Sequence, residues 1–287
     1  MNALSLVMFA ISASMFLVVF TLGLDTTFAG VTYLFRRPAL LLRSILAMNI
    51  VMPVLAVAAC LALHPSQTIA VALISLAISP VPPFLPNQQL GAGGPSRYVF
   101  GLLVATALAS IVLVPASIAL IDVLFQRTVQ IPTSKVAAIM LITVLVPLVL
   151  GVATRRFAPA FAERIARPVS IVGNVLLAAA AIPLLVAVTP LFWPLVGSGV
   201  IAALVAFTLV GVAVGHMLGG PDADRRAVLA LATGSRHPSI ALAIASVNFP
   251  ARTDVVAVVL YHLVIGALVA LPYVIWRKRA RVRGRAS

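Results

Sequence analysis

An arginine and a histidine stand side by side in ATGSRHPSIALA, residues 232–243, inside an otherwise apolar run. A guanidinium carries a permanent charge and five donors, and an imidazole titrates near neutral pH. Arg236 and His237 could therefore hold an anion or pass a proton. Thr233 and Ser235 add hydroxyls beside them, and Gly234 and Pro238 are residue types that interrupt helices. A second polar interruption comes earlier, in ISPVPPFLPNQQ (78–89), where Pro80, Pro82, Pro83 and Pro86 precede Asn87 and Gln88. Asn49, Thr106 and His262 are further polar residues within apolar runs. Each of these could line a polar site or simply bond between helices.

Other chemistries find no residues. The six acidic residues are Asp25, Asp122, Glu163, Asp222, Asp224 and Asp254, all near the ends of apolar runs. No mid-run carboxylate offers the usual ligand for Na⁺ or the usual acid of a proton relay. A nucleophile, base and orienting acid cannot be assembled, so an enzyme is not expected. The single cysteine, Cys60, excludes an internal disulfide, and no Cys/His cluster has metal-ligand spacing. Neither a metal nor a cofactor is expected.

The elements that must position these residues follow from composition. Hydrophobic residues make up 62% of the 287 and charged residues 9%, too few polar groups to cover a soluble surface. The fold class is all-α: a polytopic membrane protein with nine expected spans, near 3–24, 38–63, 67–86, 98–124, 136–154, 168–188, 194–218, 227–247 and 253–276. The N-terminal run lacks a basic leader and a cleavage site, so it reads as a first span. Trp193, Trp276 and Tyr273 suit interfacial positions.

Charge sets the orientation. Arg36, Arg37, Arg43, Arg97, Arg155, Arg156, Arg164, Arg167, Arg225, Arg226 and the basic tail 277–287 fall on one side of this alternation. Only Arg127, Lys135 and Arg252 fall on the other. The basic side is expected in the cytoplasm, with the N-terminus outside and the C-terminus inside a cell membrane. The net charge of +14 follows this alternation rather than a soluble face. It therefore points to the lipid bilayer and not to nucleic acid.

Prolines in span 3 and the Gly234–Pro238 pair in span 8 predict two broken helices, which survive in a membrane only against protein or a watery cavity. If a first repeat has lost its leading helix, spans 1–4 match spans 6–9 in inverted topology, and the two breaks correspond. The expected organisation is one transporter domain over 1–276, with a shortened repeat in 1–124 and a second in 136–276, then the tail.

Several motifs are similar to those of the bile acid:sodium symporter family. FTLGL (20–24) resembles its F-x-L-G signature, and Phe35, Arg37–Pro38 and NIVMP (49–53) resemble the segment that follows. LITVLVPLVLG (141–151) resembles V-L-L-P-I-V-L-G, and Tyr261–His262 with Gly266 resembles W-H-N-x-x-G. TGSRHPSIALA falls where the family writes E-x-G-x-Q-N-x-x-L-A. The resemblance implies ten helices, or nine without the first, in two inverted repeats. Two broken helices would cross near the midplane, and a six-helix core would move against a panel. It also places the family's sodium ligands on Ala232, Arg236, His237, Leu85, Pro86, Val99, Leu103 and Met48. Asn87, Asn49, Thr106 and Ser110 lie nearby. Almost all those ligand side chains are absent, so sodium coupling does not carry over.

Arg236 is near the middle of span 8. An arginine there costs about 2.5–3.5 kcal/mol on insertion scales, so it needs partners, and backbone carbonyls freed by the breaks are the expected ones. The expected function is a secondary carrier of a small organic anion by alternating access, with Arg236 as a fixed cation at the crossover. His237 could lend H⁺ coupling. Two alternatives stay open. One is a sodium-coupled symporter using shifted ligands, and the other is a transport-inactive sensor or scaffold.

Overall fold

A computed structural model describes residues 3–125, 133–249 and 252–283, and among these every regular element is helical. Arg127 and Arg285, two of the charges used for orientation, lie outside the described residues, as does the side chain of Asp122. Helix α1 (Ala3–Leu24) is followed by one short helix, α2 (Phe28–Val31), capped by the Thr27 hydroxyl. Helix α3 (Pro38–Ile45) runs through a widened π turn (Leu46–Val51) into α4 (Met52–Leu63). Helix α5 (Gln67–Ile78) starts on a Ser66 cap and stops at Ser79. The chain resumes as α6 (Leu85–Gly91) and then α7 (Ser96–Phe125).

A second π turn (Leu141–Leu145) joins α8 (Thr133–Met140) to α9 (Val146–Phe157). Each widened turn leads straight into a proline, Pro53 or Pro147, whose ring lacks an N–H and presses on the preceding turn. Helix α10 (Pro159–Phe192) ends in a 3₁₀ stretch, and Gly199, at φ +86°, turns the chain into α11 (Val200–Leu218). Helix α12 (Ala223–Gly234) is capped by the Asp222 carboxylate, which accepts from the amides of Asp224 and Arg225 at 2.9 and 3.0 Å. Helices α13 (Pro238–Asn248) and α14 (Thr253–Arg283) complete the fold.

Among the described residues, seven stretches are long and apolar enough to cross a bilayer: Pro38–Leu63, Ser96–Ile121, Ser134–Phe157, Pro159–Ser198, Val200–Leu218, Ala223–Asn248 and Thr253–Val282. Two shorter apolar helices, Phe9–Leu24 and Gln67–Ile78, occupy the first and third expected positions. Outward-facing Val54, Leu61, Val149, Ile171, Val175 and Leu268 are exposed, as lipid-facing side chains must be.

Several boundaries differ from expectation. Span 3 was expected to run to residue 86, but its helix ends at Ile78, and Pro86 sits in the first turn of α6 rather than in the break. Proline is tolerated there because the first turn has no intrahelical partner for its N–H. Helix α10 begins nine residues before the expected 168, so Arg164 and Arg167 are helical and only Ala158 separates α9 from α10. Helix α14 continues to Arg283, so most of the basic tail is helical.

Helices α1, α9 and α10 pack on one another. Helices α4, α5, α6, α7, α11, α12, α13 and α14 gather around the two breaks. Helix α11 lies unusually close to α12 because Gly211 and Gly215 face it. A Cβ on Gly211 would stand 2.7 Å from the Thr233 carbonyl oxygen, and one on Gly215 would stand 2.6 Å from the Ala230 Cα. Small residues one turn apart let two backbones meet in this way.

Candidate functional site

Prolines create the site by deleting donors. In a continuous helix the carbonyls of Leu76, Ile78 and Ser79 would accept from residues 80, 82 and 83, all of which are proline. The Ser79 amide and hydroxyl turn back to Leu76 O at 3.1 and 2.8 Å. The Ser79 carbonyl is left for another partner, and Arg236 Nη1 donates to it at 3.3 Å. Beside this, the His237 amide donates to Pro80 O at 2.8 Å. The segments Ser79–Phe84 and Ser235–His237 thus meet, each completing the other.

A backbone carbonyl freed by one of the two breaks was the expected partner. The structure supplies one at the C-terminal end of α5, where the helix dipole also favours a cation. Arg236 is 1% exposed, and no carboxylate pairs with it among the described residues. Its Nε and Nη2 have no hydrogen-bond partner there either. The Phe207 ring lies 5.9 Å from its Cζ and meets His262 edge-on at 5.5 Å.

Arg236 stands in the wall of a cavity of about 340 Å³. Of the sequence-predicted residues, Pro82, Asn87, Gln88, Gly234, Ser235, Arg236 and His262 line it together. Phe84 and Leu85, Leu263, Gly266 and Ala267 from α14, and Asn174 and Leu177 from α10 complete the wall. The His262 Nδ1 is buried and has no hydrogen-bond partner among the described residues.

Other predicted residues lie elsewhere. The Thr233 hydroxyl donates to Leu229 O at 2.8 Å, within its own helix. Thr106 likewise donates to Leu102 O at 2.7 Å. His237 is fully buried, its two ring nitrogens have no hydrogen-bond partner among the described residues, and it is not among the cavity-lining residues. Asn49 faces a separate apolar hollow between α4 and α7. Pro80 and Pro83 are buried in the crossing without lining the cavity, and Pro238 opens α13.

Three contributors escaped the sequence reading. Gln89 Nε2 donates to Val228 O at 2.8 Å, tying α6 to α12. Its neighbour Gln88 was singled out, but helical phase alone did not say which amide turns inward. Asn174, an amide in the apolar run IVGNVLLAAAA, was the available signal for the α10 wall. Phe207 carried no signal, since an aromatic in an apolar helix is ordinary.

Four of the eight positions that the motif resemblance gives to sodium ligands share one buried cluster. Met48, Leu85, Val99 and Ala232 belong to one buried apolar cluster with Val81, Leu102 and Val228. Leu103 lies in an adjoining cluster. A model of the sodium bile acid symporter family matches residues 12–189, more than half of the chain. The chain belongs to that family. It is accordingly a helical, polytopic membrane protein of a transporter family. Among curated proteins none matches it. The match to the sodium bile acid symporter family covers α1 through most of α10, so the segment bearing Arg236 lies beyond it.

Proposed function

We propose that the chain is a secondary carrier of a small or amphipathic organic anion, binding it at Arg236 without a bound Na⁺. The observation that carries this reading is a buried guanidinium, two of its nitrogens unpartnered among the described residues, in the wall of a cavity with mixed polar and apolar lining. One hydrogen bond to a charged group contributes about 1.5–3 kcal/mol, and the 3.3 Å bond to Ser79 is a long one. An anion would offset the remaining cost of burying the charge. Met48, Leu85, Val99 and Ala232, at four of the positions that the resemblance gives to sodium ligands, carry no oxygen in their side chains, which supports a site without sodium.

Nine spans in two inverted repeats, a core built around the crossing and a panel of α1, α9 and α10 fit this reading. The cavity takes one wall from α10 and the rest from the crossing and α14. Rocking of α10 against the crossing would open and close such a site from alternate sides. Sodium coupling through shifted ligands has less support, because Thr106 bonds its own helix and does not share the cavity with Asn87. Proton coupling through His237 has less support for the same reason.

The test is anion binding and proteoliposome uptake by wild type and Arg236→Gln, with and without Na⁺. Wild-type uptake independent of sodium and lost in Arg236→Gln is expected. Sodium-stimulated binding by wild type would revive the shifted-ligand symporter. Binding without uptake would favour a sensor.

A further inference from the structure

Resting on Arg236 as the anion's partner, we infer that the substrate head group is a single carboxylate held two-pronged by one edge of the guanidinium. Nη1 is engaged by Ser79 O, whereas Nε and Nη2 are buried and unpartnered among the described residues. In a planar guanidinium, Nε and Nη2 share one edge, and their N–H bonds run parallel. That edge matches the two oxygens of a carboxylate, which is why arginine is favoured over lysine wherever such geometry counts. The bond to Ser79 and the ring of Phe207, 5.9 Å from Cζ, fix the plane from which the fork points.

The rest of the cavity limits the ligand to one charge. Among the described residues, Arg236 is the only Lys or Arg lining it, and no Asp or Glu does so. A second carboxylate would find neutral groups there, such as the amides of Asn87, Gln88 and Asn174, but no counter-charge, and a buried anion without one is disfavoured. Leu85, Leu177, Leu263 and Ala267 suit a short hydrocarbon body. The volume of about 340 Å³ lies near the lower end of ligand pockets, which run from about 300 to 1,000 Å³. The favoured class is an apolar monocarboxylate.

The experiment uses the full chain in nanodiscs of zwitterionic lipid. Binding is measured by calorimetry for the straight-chain monocarboxylates from butanoate to decanoate, and for sulfonates and dicarboxylates of matching chain length. A sulfonate carries the same charge on three weaker acceptor oxygens, so it separates a preference for the carboxylate group from charge alone. Wild type is expected to bind its best monocarboxylate at least about tenfold tighter than either counterpart. Arg236→Lys keeps the charge but not the fork, and should lose about tenfold for the monocarboxylate with little change for the sulfonate.

Equal wild-type affinities for monocarboxylate and sulfonate would overturn the carboxylate assignment, and unchanged monocarboxylate affinity in Arg236→Lys would overturn the fork, each leaving anion binding intact. Tighter binding of dicarboxylates would overturn the single-charge limit. No binding of any probe would remove the anion reading and this inference together. Should Arg236→Lys fail to fold, Gly266→Ala supplies the second arm. Its added Cβ would sit 3.4 Å from His262 Cε1, an ordinary contact, and should shift the preferred chain length downward. An unchanged length preference would place the carboxylate outside this cavity.

Discussion

The amide of His237 donates to the carbonyl of Pro80 at 2.8 Å, joining the interruption after α12 to the interruption after α5. Neither segment could satisfy its own backbone, because proline removes a donor from each helix where it would continue. Pairing the two breaks solves both problems at once, and it fixes the neighbouring Arg236 side chain against Ser79. The polar crossing is therefore an outcome of proline placement, and its charge is an addition to it.

If Arg236 is there for a ligand and not for the crossing, Arg236→Met should leave the fold intact. Removing an unpaired buried cation in favour of a flexible hydrocarbon of similar length should be neutral or stabilising by about 1 kcal/mol or more. The expected result is a melting temperature equal to or above wild type, with the anion-induced shift abolished. A clear drop in melting temperature without ligand would instead mark the side chain as a latch.

Close approach of α11 and α12 depends on the absence of two side chains. Gly211→Ala and Gly215→Ala each push a methyl group into backbone atoms of α12, which cannot give locally as a flexible side chain could. Each should destabilise by about 1–3 kcal/mol. Because α12 leads into Arg236, both should also weaken anion binding. Thermal unfolding and ligand titration of the two variants check this.

Arg277, nearly buried, pairs with Asp224 through Nη2 at 3.0 Å and lies 5.6 Å from the Trp276 ring centroid. Asp224 is the more exposed partner, so the pair is partly screened. Asp224→Ala should still cost about 1–2 kcal/mol, below the 3–5 of a fully buried pair, by leaving the cation without its counter-charge. Arg277→Met in that background should recover part of the loss. A double-mutant cycle by thermal unfolding measures the coupling.

The distribution of arginines predicts that the α14 end of the chain lies in the cytoplasm. A green fluorescent protein fused after Ser287 should fluoresce in a bacterial host, and alkaline phosphatase fused there should be inactive. The opposite pair of results would invert the topology.

Much of this was legible in the sequence for simple reasons. Apolar length marked the helices, and clustered prolines and a Gly–Pro pair marked the breaks, since both signals are local. The partnership of Arg236 with Ser79 was legible only as a need for some carbonyl. Choosing Ser79 required knowing that α5 ends where α12 passes, which is a long-range fact. Thr106 and Thr233 misled for a related reason. A threonine hydroxyl in an apolar helix can bond the carbonyl one turn back, and composition does not reveal which way it turns. Asn174 shows the converse, an amide that looks incidental in its own helix and becomes a wall only when α10 is packed.

Helix α14 has 31 residues, a rod of about 46 Å, against a hydrocarbon layer of about 30 Å. It must therefore emerge from the lipid as a stiff post. Near that end the Arg281 side chain rests against Gly93, in the turn between α6 and α7. A dye on the emergent turn would travel with the rod instead of tumbling on a flexible tether. Its distance from a second dye on α10 would then report each turnover one molecule at a time.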